Sequence, residues 1–377
     1  MRKNELNVIK FYSLKPILSY ECLYNLIYGE RSNGKTYSVH QYMLEQFWIK
    51  HEQSALIRRW EEDFKGKNGQ ATFDGVVGTG FVEKLTKGEW TSIKYYSGKW
   101  YLARFDEKLN KVITMEDPFC YGFALTMGEH YKSTSYTNIT TILFDEFLTR
   151  EGYLPDEFVL FQNVLSTIIR QRDNVKIFML GNTVNKYCPY FEEMGIRNHI
   201  DKMKPGSIEI VKYGDSGLTL AIEYCKPNKS GKLSDKYFAF DNPRLKMITG
   251  GEWEMDIYPH LPFKYSRAEV KLEYYIYFDH QMLHCEIIKL KRNKEDKNRI
   301  GLFTYVHRKT TPIRNERDIL FSTDTSTNPY HFRKLTKPRE SIDKKISKIF
   351  MTGRVFYQSN EIGEVMRNYL EWCNTDV

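Results

Sequence analysis

The sequence predicts an α/β protein of two domains, the first of which is built on a largely parallel sheet. One observation is the segment GERSNGKT at positions 29–36, which lies between an apolar segment and a helical pattern. A second is that strand-like segments alternate with helical ones, as they do in parallel sheets covered by helices on both faces. A third is the length of 377 residues, which exceeds that of most single domains.

Composition narrows the class of protein. Hydrophobic residues make up 41% of the chain and charged residues 28%, which excludes disorder throughout. The six cysteines are scattered without a C-x-x-C pair, so neither a zinc finger nor a disulfide framework is predicted. No apolar signal region opens the chain, and no apolar run approaches the length of a bilayer span. We therefore expect a cytoplasmic protein with no membrane partner.

The first predicted elements form a βαβ unit around the glycine-containing segment. Tyr20–Tyr28 is rich in apolar residues and leads directly into this segment. Val39, Met43 and Phe47 are four residues apart, so they share one face of a predicted helix. A short strand, Ser54–Ile57, follows and ends in two arginines.

The rest of the first domain continues this alternation. Residues 61–75 are polar and contain glycines, which predicts a loop. The further predicted elements are a hairpin of strands Thr91–Tyr96 and Lys99–Arg104, a strand Thr140–Phe144, a helix from Asp156 to Arg172 and a strand Lys176–Leu180.

A lysine-rich stretch with proline, glycine and serine, KPNKSGKLSDK at 226–236, indicates a linker. We predict a first domain at 1–205, a linker region at 206–240 and a second domain at 241–377. The predicted elements of the second domain are strands Tyr274–Asp279, His284–Leu290, Ile300–His307 and Ile319–Ser322, a helix Glu340–Phe350, a strand Arg354–Gln358 and a helix Glu361–Cys373.

Charge is distributed unevenly between the two parts. Residues 1–227 carry 29 basic and 28 acidic side chains, whereas residues 228–377 carry 27 and 20. The basic excess of the second part indicates contact with a polyanion, and a generally basic surface is the alternative.

The segment 29–36 matches the phosphate-binding pattern G-x-x-x-x-G-K-[ST] in full. Glycines let the backbone N–H groups of such a loop face phosphate oxygens, and the helix that follows adds its positive end. In this pattern the lysine reaches the β- and γ-phosphates and the threonine hydroxyl binds Mg²⁺, so ATP and Mg²⁺ are the expected cofactors. The residues predicted to hold the nucleotide are Gly29, Glu30, Arg31, Ser32, Asn33, Gly34, Lys35 and Thr36.

Two carboxylates follow the apolar strand Thr140–Phe144. In a nucleoside triphosphatase with a phosphate-binding loop, the first suits Mg²⁺ and the second suits activation of the attacking water. We assign Asp145 to the metal and Glu146 to the water, and the presence of Glu146 indicates hydrolysis instead of a kinase reaction.

Four polar or basic residues are further candidates. Asn182, at the tip of the next strand, is predicted either to sense the γ-phosphate or to lie in a simple turn. Arg170, near the end of the preceding helix, is predicted either to stabilise transition-state charge at a neighbouring subunit's nucleotide or to compensate the helix dipole. Arg150 and Lys132 are the second and third candidates for this catalytic cation.

The combination of GERSNGKT, TTILFDEFLTR and IIRQRDNVKIFMLGNT resembles the DNA-packaging ATPases of small protein-primed tailed phages, relatives of terminase large subunits. The resemblance covers roughly the first 200 residues. It implies an additional-strand (ASCE-type) ATPase that forms a homomeric ring, expected to be a pentamer, on the phage portal. It also implies double-stranded DNA and the procapsid as partners, and a transient role in the host cytoplasm.

The resemblance also implies site residues, in agreement with the roles given above. It puts Lys35 and Thr36 at the phosphates and the metal, Asp145 at the metal, Glu146 at the water and Arg170 at the neighbour's nucleotide. Lys132 and Arg150 match basic positions around the same interface. The loop that holds Lys65 and Lys67 matches the region where the family meets DNA, and a solvated loop is the alternative.

For the second domain the resemblance implies an RNase H-like nuclease fold. An active nuclease of this class needs several carboxylates around two metal ions. Asp279 and Asp324 are placed for this, and Glu361 and Glu364 are further candidates. We favour a vestigial nuclease that binds structural packaging RNA, and an active terminase-like nuclease is the alternative. The function predicted is a packaging motor, with a helicase-like ATPase or a nucleic-acid-binding protein with a decayed loop as rivals.

Overall fold

The computed structural model divides the chain into two compact units, Met1–Glu254 and Met255–Val377. The residues that it describes are 12–131, 135–149, 152–154, 156–184, 186–227, 253, 258–278, 281–290, 301–309, 318–322 and 334–374.

The first unit contains a ten-stranded sheet. Its spatial order is β3-β4-β6-β2-β7-β8-β1-β10-β9, with β5 paired to β4. The six central strands, in the spatial order β6-β2-β7-β8-β1-β10, are parallel. Antiparallel strands flank them, β4 beside β6 and β9 beside β10. The strands are β1 Tyr24–Gly29, β2 Gln53–Arg58, β3 Ser92–Tyr96, β4 Lys99–Asp106, β5 Lys111–Thr114, β6 Cys120–Ala124, β7 Ile139–Asp145, β8 Lys176–Asn182, β9 Ser207–Tyr213 and β10 Leu218–Tyr224.

Helices connect and cover these strands. In the described part of the first unit they are α1 Lys15–Leu18, α2 Lys35–Lys50, α3 Gly66–Ala71, α4 Asp74–Gly78, α5 Phe81–Leu85, α6 Glu157–Ile169, α7 Pro189–Glu193 and α8 Arg197–Lys202. No helix among the described residues is both long and apolar enough to cross a membrane.

The sheet is buried on both faces, as predicted. Leu26 of β1 belongs to one buried apolar cluster and Ile27 to another, because successive side chains of a strand point to opposite faces. Val39, Met43 and Phe47 of α2 all pack in the second cluster, which confirms the predicted apolar face of this helix. Helix α6 packs in the first cluster, on the other side of the sheet.

The predicted boundary between the domains is wrong. β10 pairs with β1 in parallel and β9 pairs with β10, so most of residues 206–225 belong to the first sheet and not to a linker. The side chains of β9 are mostly half-buried and those of β10 half-buried or buried, and neither strand is an uninterrupted apolar run of the kind that indicated the other strands of this sheet. Residues 228–240 lie outside the described residues.

The predicted loop at 61–75 is also wrong. Residues Glu61–Phe64 form a 3₁₀ turn, and α3 follows directly. Gly69 lets the β3–β4 hairpin approach closely, since a Cβ atom at this position would lie 2.7 Å from the ring of Tyr95. The indole Nε1 of Trp100 donates a 2.7 Å hydrogen bond to the Gly69 carbonyl oxygen. Phe64 and Phe73 are buried against the same tryptophan.

The second unit contains a five-stranded sheet of order β14-β11-β12-β13-β15. β11, β12 and β13 are antiparallel, β14 is parallel to β11, and β15 is parallel to β13. All seven predicted elements are present within a few residues of their predicted bounds. They are β11 Val270–Phe278, β12 Gln281–Lys289, β13 Leu302–Arg308, β14 Leu320–Ser322, α9 Ser341–Met351, β15 Val355–Tyr357 and α10 Asn360–Asn374.

Candidate nucleotide-binding site

The segment GERSNGKT forms the turn between β1 and α2. Gly34 has a φ of +94°, in the left-handed region that other residues rarely adopt. A Cβ atom on Gly29 would lie 2.9 Å from the Cβ of Cys225, so no larger residue fits there without displacement. Helix α2 begins at Lys35 and runs for 16 residues, which places its positive N-terminal end at the turn. The backbone therefore has the form that phosphate binding requires.

Lys35 is buried inside this loop, although the residue carries a charge. Its Nζ donates a 2.6 Å hydrogen bond to the carbonyl oxygen of Glu30 and a 3.3 Å one to Oδ1 of Asn182. Burial lowers the pKa of Lys35, and neighbouring acidic groups, Asp145 among them, act against this shift. The lysine is thus held at the junction of β1 and β8.

Asn182 lies beside the loop because of the strand register. β1 and β8 are parallel, and Gly29 is paired with Asn182. β8 continues to Asn182, so this residue ends a strand and does not lie in the simple turn that was the alternative. Its contact with Lys35 places an amide at the position that the phosphate-sensor hypothesis requires, and that role stays a prediction.

Thr36 and Asp145 are in contact across the end of the sheet. The Thr36 hydroxyl donates a 3.3 Å hydrogen bond to Oδ1 of Asp145. Asp145 is only 5% exposed, and burial raises its pKa, while Arg58 opposes the rise. Hydroxyl and carboxylate oxygens are the ligands that Mg²⁺ prefers, so these two residues fit a magnesium ion.

Glu146 follows Asp145 but has a different environment. Its backbone has a φ of +61°, in the left-handed region, so the chain turns away from the strand direction at this residue. Its side chain is 65% exposed, against 6% for that of Asp145. A buried and a solvent-facing carboxylate therefore lie side by side, as the two predicted roles require.

Arg58 contacts both carboxylates, and the sequence did not indicate this. Its Nη2 donates a 2.9 Å hydrogen bond to Oδ2 of Asp145, and its Nη1 lies 3.8 Å from Oε2 of Glu146. The contact follows from the pairing of β2 with β7, in which Ile57 is opposite Phe144. Two consecutive arginines at the end of a predicted strand do indicate a basic site. Their partners could not be predicted, because they depend on which strand lies next to β2.

Arg59 forms a buried ion pair behind the site. Its Nε and Nη2 donate hydrogen bonds of 2.7 and 2.8 Å to the two carboxylate oxygens of Glu157, the first residue of α6. Nη1 and Nη2 also donate to the carbonyl oxygens of Glu146 and Phe147. The hydroxyl of Tyr190 donates to Glu157 at 2.8 Å. Arg59 thereby fixes the backbone that carries Glu146.

A cleft of about 390 Å³ lies at the carboxyl ends of β1, β2, β7 and β8, and some of these groups line it. Arg31, Arg58, Asp145, Glu146 and Asn182 are on its wall. The wall carries both cations for phosphate oxygens and carboxylates for a metal ion and a water molecule. Such a set can bind and hydrolyse a nucleoside triphosphate.

Of the three predicted catalytic cations, the structure describes only Arg170, and it does not line this cleft. Helix α6 leads from the end of β7 to the beginning of β8, and its 13 residues span about 20 Å. Arg170 follows this helix and is exposed. It lies near the amino-terminal ends of the parallel strands, whereas the cleft lies at their carboxyl ends. Arg150 and Lys132 lie outside the described residues.

The predicted DNA-contacting lysines lie on a folded segment. Lys65 is exposed, and its Nζ lies 2.9 Å from Glu61 and 3.6 Å from Glu62. Lys67 is exposed on α3. Two carboxylates therefore partly neutralise the charge of Lys65, whereas α3 presents Lys67 to solvent.

The predicted nuclease carboxylates form no cluster among the described residues. Asp279 and Asp324 lie outside them. Glu361 pairs with Arg308 at 2.8 Å, and Glu364 accepts hydrogen bonds from Tyr258 at 2.8 Å and Arg367 at 3.1 Å.

Comparison with known proteins gives homologues for part of the chain. The family described as podovirus DNA encapsidation protein (Gp16) matches residues 106–210. The DNA packaging protein of Bacillus phage B103 is 30% identical over 190 residues, which are 49% of this chain and 52% of that protein. The DNA packaging protein of Bacillus phage phi29 is 28% identical over 184 residues, 48% and 49% of the two chains. The chain thus spans about half the length of these relatives.

Among the solved structures that match nearly the whole chain is one of a DNA packaging motor. It is described as the Phi-28 gp11 DNA packaging motor, and the match covers 98% of this chain and 100% of that one, with a TM-score of 0.51 and 18% identity. This match shows a shared fold. Together with the homologues it confirms the predicted resemblance to phage DNA packaging proteins.

Proposed function

We propose that this chain hydrolyses ATP to drive double-stranded DNA into a viral procapsid, as one subunit of a homomeric ring. The observation that carries the proposal is the convergence of Lys35, Thr36, Asp145 and Glu146 on one end of a parallel sheet. Homology with the DNA packaging proteins of two Bacillus phages supports the identity of the substrate.

The turn between β1 and α2 binds the phosphates in this proposal. Its N–H groups and the N-terminal end of α2 supply partial positive charge, and the Nζ of Lys35 supplies a full one. Lys35 exchanges its contact with the Glu30 carbonyl for a phosphate oxygen. Asn182 then stands beside the terminal phosphate and detects whether it is present.

Thr36 and Asp145 hold Mg²⁺ in this proposal. A bound ion would neutralise part of the charge on the phosphate oxygens. Asp145 must be ionised for this, and Arg58 favours the ionised form by its 2.9 Å contact.

Glu146 acts as the general base. Its exposed carboxylate takes a proton from the attacking water while the water oxygen bonds to the terminal phosphorus and the bond to the leaving diphosphate breaks. The Arg59 contact with the Glu146 carbonyl fixes the backbone at this residue. Arg58 lies close enough to the Glu146 carboxylate to compete with the water molecule for it.

Arg170 acts on the nucleotide of a neighbouring subunit in this proposal. It is exposed near the amino-terminal ends of the parallel strands, whereas the cleft of its own subunit lies at their carboxyl ends, so it cannot complete that cleft. A ring, expected to be a pentamer, would bring this end of the sheet to the next subunit's cleft. Lys132 and Arg150 stay candidates for the same interface.

The second unit binds nucleic acid without cutting it in this proposal, as a vestigial RNase H-like nuclease. The basic excess of residues 228–377 supports contact with packaging RNA or DNA at the procapsid portal. Lys65 and Lys67 are proposed DNA contacts of the first unit. The motor would act transiently in the host cytoplasm.

The proposal is tested by the ATPase rate of the full chain with and without double-stranded DNA, together with packaging into purified procapsids. We expect duplex DNA to stimulate hydrolysis without separation of its strands, and Glu146→Gln to abolish both hydrolysis and packaging. ATP-dependent strand separation would favour the helicase alternative, and metal-dependent cutting would favour the terminase-like nuclease. An ATPase rate that is the same with and without duplex DNA, together with no packaging, would overturn the motor proposal.

A further inference from the structure

The second unit carries a cluster of two histidines and a glutamate on one face of its sheet. His284 and Glu286 are two residues apart on β12, so both side chains emerge on the same face. His307 on β13 is paired directly with His284. Each of the three offers a ligand atom, and these atoms lie within 4.8 Å of one another.

We propose that His284, Glu286 and His307 bind a divalent transition-metal ion of the zinc class. Two imidazoles and one carboxylate, with a fourth position left for water, are a frequent ligand set of zinc. Tetrahedral bonds of about 2.0–2.1 Å separate neighbouring ligand atoms by roughly 3.4 Å. Nε2 of His307 already lies 3.5 Å from Oε2 of Glu286.

The surroundings hold these side chains in place. Nε2 of His284 is 2.8 Å from Oε2 of Glu273, and a carboxylate that orients a ligating imidazole is the usual outer partner in a metal site. The ring of His307 stacks on that of Tyr305, with an interplanar angle of 27°. The side chains of His284, His307 and Glu286 are 15%, 24% and 8% exposed, so the group is largely enclosed yet reachable by an ion.

One cation is already close to the proposed ligands. Nη1 of Arg267 lies 3.0 Å from Oε1 of Glu286, and the same guanidinium pairs with Glu273. Glu286 has two oxygens, and Oε2, the one that faces His307, is not the one that Arg267 contacts. Tyr265 donates a hydrogen bond to Oε2 and would have to give up this bond to the ion. Arg267 is 69% exposed, so it opposes the ion by charge without blocking it.

This site differs in chemistry from the carboxylate cluster of a magnesium-dependent nuclease. Mg²⁺ prefers oxygen ligands in octahedral geometry, whereas two of the three ligands here are imidazoles. The proposed ion therefore does not depend on whether the second unit retains nuclease activity. Its direct effect is to cross-link β12 and β13.

Equilibrium dialysis of the chelator-treated full chain against Zn²⁺, followed by elemental analysis, tests the proposal. We expect His307→Gln and His284→Gln to lose one bound zinc per chain relative to the wild type. His199→Gln is the matched control, because it removes a histidine that also pairs with a glutamate, Glu209, at 2.7 Å but belongs to no three-ligand cluster among the described residues. Equal zinc content in wild type and both cluster variants would overturn the proposal.

A second variant keeps the test valid if the histidine variants fold poorly. Arg267→Gln removes the opposing cation, so we expect zinc to bind several-fold more tightly and to raise the unfolding temperature of the chelator-treated protein further than in the wild type. Mg²⁺ at the same concentration should not raise it. Unchanged or weaker zinc affinity in Arg267→Gln would contradict the assigned ligands.

Discussion

Arg58 donates a 2.9 Å hydrogen bond to Asp145 across the β2–β7 strand pair, and the same guanidinium lies 3.8 Å from Glu146. The proposed metal ligand and the proposed base thus share one cation. A guanidinium presents its five donors in a rigid plane and can orient two carboxylates, whereas the three donors of an ammonium group rotate freely. The position of Arg58 therefore couples the charge of the metal ligand to the orientation of the base.

Glu146→Gln should leave nucleotide binding near the wild-type level and reduce turnover by about 10²–10⁴-fold. The amide keeps the size and hydrogen bonding of the side chain but cannot accept the proton of water. Binding of a fluorescent ATP analogue and steady-state phosphate release would measure the two effects separately. Hydrolysis near the wild-type rate with intact affinity would show that Glu146 is not the base.

Local sequence patterns sufficed for much of this site. The pattern at 29–36 and the apolar strand before Asp145 each predicted a strand and the residues at its end, because both signals are contiguous. The roles of Arg58 and Arg59 could not be predicted in this way. They depend on the pairing of β2 with β7, which joins residues 87 positions apart.

Two errors in the fold predicted from the sequence also have physical causes. Residues 61–75 resemble a loop because of their glycines, but Gly69 allows close packing against the ring of Tyr95. Strands β9 and β10 are not apolar throughout, and they complete the sheet only by pairing with β1 and with each other. The β9–β10 hairpin is local, but the pairing of β10 with β1 joins residues 196 positions apart, such as Tyr24 and Leu220, and leaves no local pattern.

Arg59→Met should destabilise the first unit by about 3–5 kcal/mol, because it leaves the carboxylate of Glu157 buried without its cation. Arg59 is 7% exposed and the side chain of Glu157 is fully buried. Urea unfolding would measure the loss. The double variant Arg59→Met with Glu157→Gln should recover part of the stability, and equal loss in both would show that the charge pair is not the cause.

His40 should make stability fall in mild acid. It is buried in α2, burial and nearby Arg58 lower its pKa to about 3, and its Nε2 has no hydrogen-bond partner among the described residues. Because the folded state disfavours protonation, this contribution is present above the unfolded pKa of about 6.5 and is lost as pH falls toward 3. At pH 5 the loss should be roughly 2 kcal/mol relative to pH 8.

His40→Leu should remove this part of the pH dependence. Urea unfolding at pH 8 and at pH 5 would give the two free energies for each variant. His51→Asn is the control, because it removes an exposed histidine at the other end of α2, where the backbone is left-handed and asparagine is tolerated. If His40→Leu loses as much stability in acid as the wild type, His40 is not the acid-sensitive group.

Arg170→Ala subunits should be inactive alone and should regain hydrolysis when mixed with Glu146→Gln subunits. In a mixed ring, some interfaces carry the intact Glu146 of one subunit and the intact Arg170 of its neighbour. Phosphate release as a function of the mixing ratio would measure the rescue. If no ratio restores activity, the alternative that Arg170 only compensates the dipole of α6 gains support.

The full chain should bind RNA and duplex DNA through its second unit without cutting either. Lys334, Lys337 and Arg339 are part of the basic excess in this unit, and the described carboxylates Glu361 and Glu364 are engaged by other side chains. Affinity measured by filter binding should therefore fall steeply with salt, since phosphate contacts release counterions. Supercoiled plasmid incubated with Mg²⁺ or Mn²⁺ should stay intact. Metal-dependent nicking that disappears in Asp279→Asn would show an active nuclease, and would place the chain with the genome-cutting terminases.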